Sequence, residues 1–127
     1  ERYKNGSFIG FHGSTNRSPY PQAGYVVGFI PFKDEYPSGE LEIFADGFAQ
    51  VDIIKDVKDA KYRPMGLAEG PDGSLYISDS KKGKIWRVFY TSNREDFAEI
   101  NLKKMKLRKY LPHVKTPVEF EDIVKWY

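Results

Sequence analysis

The sequence predicts an all-β fold of short antiparallel strands, arranged as part of a β-propeller. Three observations carry that prediction. Aromatic residues make up 16% of the chain and hydrophobic residues 40%, which suits a folded, sheet-rich protein better than a disordered one. Short β-branched and aromatic runs, divided by Gly, Pro, Asn and Asp, fill the chain as far as Tyr90. Their strand, loop, strand rhythm repeats weakly, as expected for a radial array of antiparallel sheets.

The elements follow in order. Ser7 to His12 reads as a strand, and Gly13 to Ala23, with two prolines, as a loop. Gly24 to Pro31 is a second strand, and Asp34 to Glu40 a turn containing Pro37, Ser38 and Gly39. Leu41 to Ala45 alternates apolar and polar residues and is a third strand. Ala49 to Arg63 is a longer charged connection. Met65 to Glu69 and Leu75 to Asp79 flank a tight turn, Pro71-Asp72-Gly73-Ser74, in which Gly73 supplies the positive φ. Lys84 to Tyr90 is the last strand.

In a four-stranded blade lettered A to D from the centre outward, the first three strands are B, C and D of one blade. The next three are A, B and C of the following blade. About two incomplete blades cannot close a ring, so the isolated chain is expected to be marginal without the remaining blades. The propeller segment is expected to span residues 1–92, and residues 93–127 to form a linker or tail, partly helical. Phe97, Ile100, Met105 and Leu107 give Glu95 to Tyr110 a loose apolar face. Thr116-Pro117-Val118-Glu119 has the pattern of a helix start, leading into an amphipathic stretch to Tyr127.

Bulk properties narrow the function. Twenty basic and 18 acidic residues leave a net charge of +2, which gives no argument for nucleic acid or an anionic membrane as partner. No apolar run approaches the ~18 residues of a membrane span. The opening Glu1-Arg2-Tyr3-Lys4 lacks the pattern of a signal peptide and enters a strand almost at once, as a start inside a longer protein would. With no cysteine, disulfides, a CxxCH haem attachment and thiolate metal sites are excluded here, while the compartment stays open.

Two motifs stand out. The first is Phe8-Ile9-Gly10-Phe11-His12-Gly13-Ser14-Thr15-Asn16-Arg17-Ser18-Pro19, followed by Gly24-Tyr25-Val26-Val27 and Pro31-Phe32. The second runs from Tyr62-Arg63-Pro64-Met65-Gly66-Leu67 through Pro71-Asp72-Gly73-Ser74-Leu75-Tyr76 to Asp79, closing on Gly83-Lys84-Ile85-Trp86-Arg87-Val88. Together they resemble the C-terminal part of the glucose/sorbosone dehydrogenase family of pyrroloquinoline quinone (PQQ)-dependent enzymes. The PDGSLY stretch alone is shared by many propellers; HGSxNRSP followed at this spacing by RPxG is far more specific.

The resemblance implies a partial six-bladed propeller whose parent oxidises sugars with PQQ. It implies His12, Asn16 and Arg63 as quinone-contacting residues, with Arg17 a weaker carry-over. Thr15 stands where the family usually has Trp, which removes an aromatic surface beside cofactor or sugar. The family's catalytic base and the ligands of its calcium ion come from earlier blades, so no catalytic residue is assigned in this chain and the segment alone is expected to be inactive. The implied partners are the sugar, an electron acceptor such as a following cytochrome c domain, and the remaining blades. The implied location is periplasmic or secreted.

Strand geometry points the same way independently. In an antiparallel blade, B–C and D–A loops open on one face, and A–B and C–D turns on the other. His12 to Arg17 begins a B–C loop, Arg63 ends a D–A loop, and Asp79 to Lys84 forms a second B–C loop. The distinctive polar residues are therefore expected to converge on one face, where a rigid scaffold carries its binding groups. PQQ has three carboxylates and an ortho-quinone. An arginine can hold a carboxylate through two parallel bonds, and a neutral histidine or an amide can donate to a quinone oxygen.

Plainer roles compete. His12 is also a natural strand-end residue, Asn16 and Ser18 are turn formers, and Arg17 reads equally as a solvated loop charge. Arg63 is extended simply because Pro64 follows, and its side chain can pair with Asp79. Asp72 and Gly73 read as a structural turn, Tyr76 and Trp86 as packing, and His113 as exposed linker. The lysine-rich run Lys103 to Lys109 is a solvated helix face or a dock for an acidic acceptor domain. Two functions from other classes remain: a non-catalytic propeller interaction module, and a hydrolytic propeller of the NHL or lactonase kind.

Overall fold

The structure, a computed structural model, describes residues 3–91. The two helices expected in the tail, and His113, lie outside the described residues.

Among the described residues seven strands form two antiparallel sheets, an all-β, partial propeller-like fold. In the first sheet β1 (Gly6–Phe11) pairs with β2 (Val26–Lys33), from Gly6 opposite Pro31 to Phe11 opposite Val26. The far edge of β2 takes two partners, β3 (Tyr36–Pro37) and β4 (Glu42–Ala45). The second sheet has the order β5 (Pro64–Glu69), β6 (Leu75–Asp79), β7 (Ile85–Val88). Pairing of β1, β2 and β4, then of β5, β6 and β7, has the expected B, C, D and A, B, C order.

Most strand ends move by a residue or two from the sequence reading, and two of the changes come from backbone handedness. The second strand starts at Val26 because Tyr25 adopts φ +61° and leaves the ladder. The reversal after β2 sits at Asp34 and Glu35, with φ of +52° and +69°, the two-residue geometry that suits strand twist. Tyr36 and Pro37 therefore pair back with Lys33 and Phe32, leaving Ser38 to donate from its amide to the Pro31 carbonyl at 2.9 Å.

The two sheets share a core. Val27, Phe48, Leu75 and Ile77 are buried together, with Phe8, Phe44, Leu67, Trp86 and Val88 packed against them. The alternation of β6 explains its share, since Leu75, Ile77 and Asp79 face inward while Tyr76 and Ser78 do not. Aromatic edges tighten the contact: Trp86 meets Phe48 at 5.0 Å and Tyr62 at 5.2 Å, both near perpendicular. The packing role expected for Trp86 is thus realised between the sheets.

Ile77→Ala is expected to cost about 2–5 kcal/mol, the transfer term plus the cavity left in a core shared by both sheets. Denaturant unfolding followed by tryptophan fluorescence checks it. An unmoved midpoint would mean that the two sheets do not share a cooperative core.

Candidate functional site

Three connections meet at one end of the sheets. The β1–β2 loop holds itself shut at its neck. The Ser14 amide donates to the Ala23 carbonyl at 2.8 Å, the Ser14 hydroxyl to Gln22 Oε1 at 2.7 Å, and the Ala23 amide to the Ser14 hydroxyl at 2.9 Å. Buried Tyr25 lies beneath, its hydroxyl donating to the Ser14 carbonyl at 3.0 Å. Gly13 is required there. Its φ is +98°, and a Cβ would sit 2.4 Å from the Tyr25 ring.

The β4–β5 connection joins this loop through the Gln22 amide, which donates to the Ile54 carbonyl at 2.7 Å. A short 3-10 turn, Val57–Asp59, is closed at its N-terminal end by a capping box of Asp56 and Asp59. The β6–β7 loop then grips the connection. The Lys81 ammonium donates to the carbonyls of Lys58 at 2.8 Å, Val57 at 3.4 Å, and Ala60.

Arg63 is the crossing point. Its Nε donates to the His12 carbonyl at 3.1 Å and its Nη2 to the Gly13 carbonyl at 2.9 Å. The guanidinium lies 5.6 Å from the Tyr25 ring centre. Its amide donates to Asp79 Oδ1 at 2.6 Å, and its carbonyl accepts from the Ser80 amide at 3.1 Å. The side-chain pairing with Asp79 allowed by the sequence is therefore replaced. Asp79 takes the Arg63 backbone instead, and the guanidinium clamps the first loop.

Asp79 is 6% exposed, and its second oxygen accepts from the Lys82 amide at 2.5 Å. Burial acts to raise its pKa, but the amides of Arg63, Lys82, Lys81 and Lys84 outweigh that and hold the carboxyl below its ordinary value.

His12, half-buried at the end of β1, places Nε2 2.6 Å from the Ser80 hydroxyl. Burial first, then the Arg63 guanidinium, lower its pKa against the opposing pull of Asp79. The imidazole is accordingly neutral at neutral pH. Asn16 is exposed on the loop, and the half-buried Arg17 folds back to donate to the Pro21 carbonyl at 3.1 Å. The structure thus links His12 to Arg63 directly. Among the described residues no hydrogen bond joins Asn16 or Arg17 to that pair.

The opposite end carries ordinary turn chemistry. The Ser74 hydroxyl, then the Arg87 guanidinium, then the Ser74 amide hold the Asp72 carboxyl down at about 2. This fits the reading of that segment as a structural turn. Beside the loop end, a cleft of about 350 Å³ opens between the sheets, bordered by Phe48, Tyr62 and Trp86 with Lys61 and Lys84. The Lys84 ammonium rests 5.2 Å from the Tyr62 ring centre and 5.4 Å from that of Trp86. Among the described residues no three His, Cys, Asp or Glu side chains gather as a metal site, and no helix is long and apolar enough to cross a membrane.

Sequence reasoning paired Asp79 with the Arg63 side chain where the structure pairs it with the Arg63 amide, and it missed Ser80 and Lys81 as structural partners of the site. It placed their loop on the right face, yet Asp-Ser-Lys-Lys-Gly has no local pattern that predicts contacts 16 to 68 residues away.

Fold and site together define a propeller-type β domain with a loop face rich in basic and hydrogen-bonding groups. The chain belongs to the TrAA12-like family, which matches residues 1–91; TrAA12 is a fungal PQQ-dependent dehydrogenase-like domain. No curated protein and no solved structure matches.

Proposed function

We propose that the chain is the C-terminal segment of a quinoprotein sugar dehydrogenase and forms part of its PQQ-binding face. The observation that carries this reading is the His12–Arg63 junction, where a neutral donor and a guanidinium share one loop surface. The donor set fits the group. A ligand with three carboxylates needs cations and amides without a competing anion, and the intervening carboxylate, Asp79, is already bonded to backbone amides.

In this reading Arg63 holds a carboxylate. Its Nε–Nη2 edge is engaged by the loop, so the carboxylate takes the side of the guanidinium bearing Nη1. His12 donates to a quinone oxygen, and Asn16 and Arg17 close the outer rim. PQQ supplies a two-electron acceptor for a sugar alcohol or hydrated aldehyde carbon of the aldose or sorbosone type. The remaining blades provide the catalytic base and the calcium ligands, and electrons leave to an acceptor such as a cytochrome c domain. The propeller segment covers residues 1–92, with 93–127 as a tether in a periplasmic or secreted parent. The chain alone is inactive.

The test is a spectral titration with PQQ and calcium, on the protein and on His12→Ala. His12→Ala is expected to weaken binding about tenfold, the loss of one hydrogen bond to a charged ligand. Absence of any PQQ-induced spectral change in the parent protein, together with no dye reduction on aldoses, rules the reading out.

A further inference from the structure

We propose that Ser80 is a positioning residue that locks His12 in its Nδ1–H tautomer, making Nδ1 the donor offered to the quinone oxygen. The proposal deepens the PQQ reading and rests on it for the identity of the acceptor. The tautomer itself follows from contacts in the chain.

The first argument is distance. Ser80 Oγ and His12 Nε2 are 2.6 Å apart. Hydrogen bonds donated by N–H to oxygen usually span ~2.7–3.2 Å, whereas hydroxyl donors make shorter ones, down to ~2.5 Å when the acceptor is oxygen. The second argument is basicity. The unprotonated nitrogen of a neutral imidazole is a better acceptor than a serine hydroxyl, and one ring nitrogen must be an acceptor when the other carries the proton. Both favour a hydroxyl that donates to Nε2, which leaves the proton on Nδ1. Among the described residues nothing is bonded to Nδ1.

The third argument is the anchoring of Ser80. Its amide donates to the Arg63 carbonyl at 3.1 Å, while the preceding Asp79 ties the Arg63 and Lys82 amides together. The hydroxyl is therefore delivered by a backbone fixed on both sides, and by the same residue that clamps the His12 carbonyl. The charged groups acting on the ring are Arg63 from the β4–β5 connection and Asp79 from the end of β6. The Asp79 oxygens are spent on amides, so Ser80 alone contacts the ring nitrogen.

The experiment is nitrogen-detected NMR of the histidine rings in the 15N-labelled 127-residue chain without quinone. His113→Gln separates the two histidines. The wild-type ring of His12 is expected to show an unprotonated Nε2 and a protonated Nδ1. Ser80→Ala is expected to shift the ring toward the Nε2–H form that free imidazole side chains prefer, and Ser80→Thr, which keeps the hydroxyl, to restore it. In a parallel PQQ titration of the parent protein, Ser80→Ala should bind about tenfold more weakly and Ser80→Thr like wild type. A wild-type ring already in the Nε2–H form overturns the proposal without any variant. So does a folded Ser80→Ala that keeps the wild-type pattern, or one that binds PQQ unchanged. A wild type that shows the Nδ1–H pattern yet ignores PQQ overturns the quinone reading instead, and with it the role given to the tautomer.

Discussion

Asp79→Ala is expected to lower stability by about 3 kcal/mol at neutral pH, more than any surface substitution in the chain. The carboxylate is buried and joins two connections, with Arg63 on one oxygen and Lys82 on the other. Removing it leaves two amides without their charged acceptor, and such bonds are each worth about 1.5–3 kcal/mol. Asp79→Asn is no rescue. Its oxygen can still accept from one amide, but its NH2 then faces the other N–H, donor against donor.

The sign of the pH dependence follows from the direction of the shift. The folded carboxyl titrates below its ordinary value, so its contribution is full above about pH 4, where the unfolded chain has lost the proton. It declines as pH falls below that, through the folded value. Urea unfolding at pH 7 and pH 3 should therefore show a gap between wild type and Asp79→Ala that narrows in acid. An equal gap at both pH values would mean that charge plays no part in the clasp.

The contrast between Asp79 and His12 shows what the sequence could carry. His12, Gly13 and Arg63 sit inside motifs whose strand rhythm places them on one face, and the structure brings them into contact. Strand identity was legible because alternation is local; β6, with Leu75, Ile77 and Asp79 inward, is the clearest case. The turn beginning at Asp34 was legible, but its tight two-residue form was hidden because neither Asp34 nor Glu35 is the Gly or Asn that usually announces positive φ. The displaced Tyr25 was hidden likewise: a β-prone aromatic flanked by Gly24 and Val26 looks like strand, and only the ring's burial under the first loop accounts for its φ. Ser80 and Lys81 were unreadable for another reason. Their partners, His12 and the Val57–Ala60 carbonyls, are brought near by the arrangement of two sheets, and no spacing within one segment encodes that.

Arg63→Ala is expected to abolish PQQ binding within reach of an optical titration, a loss of about a hundredfold or more, and to cost about 2 kcal/mol of stability. Two separate losses combine. The guanidinium no longer holds the His12 and Gly13 carbonyls together, so the first loop is released from the β4–β5 connection. The positive charge offered to a carboxylate also disappears. Arg63→Lys separates them, because an ammonium keeps the charge but lacks the planar fork that reaches both carbonyls while facing a ligand. Lysine should recover part of the affinity and little of the loop order. The His12 ring gives an independent readout. The guanidinium lowers its pKa, so Arg63→Ala should move the His12 titration upward, while Arg63→Lys should leave it closer to wild type. If Arg63→Ala loses PQQ but leaves the His12 titration in place, then Arg63 meets the cofactor without setting the charge state of its neighbour. If the titration rises and PQQ still binds, the clamp is structural and the carboxylate contact belongs to another residue of the loop face, with Arg17 of the β1–β2 loop the candidate.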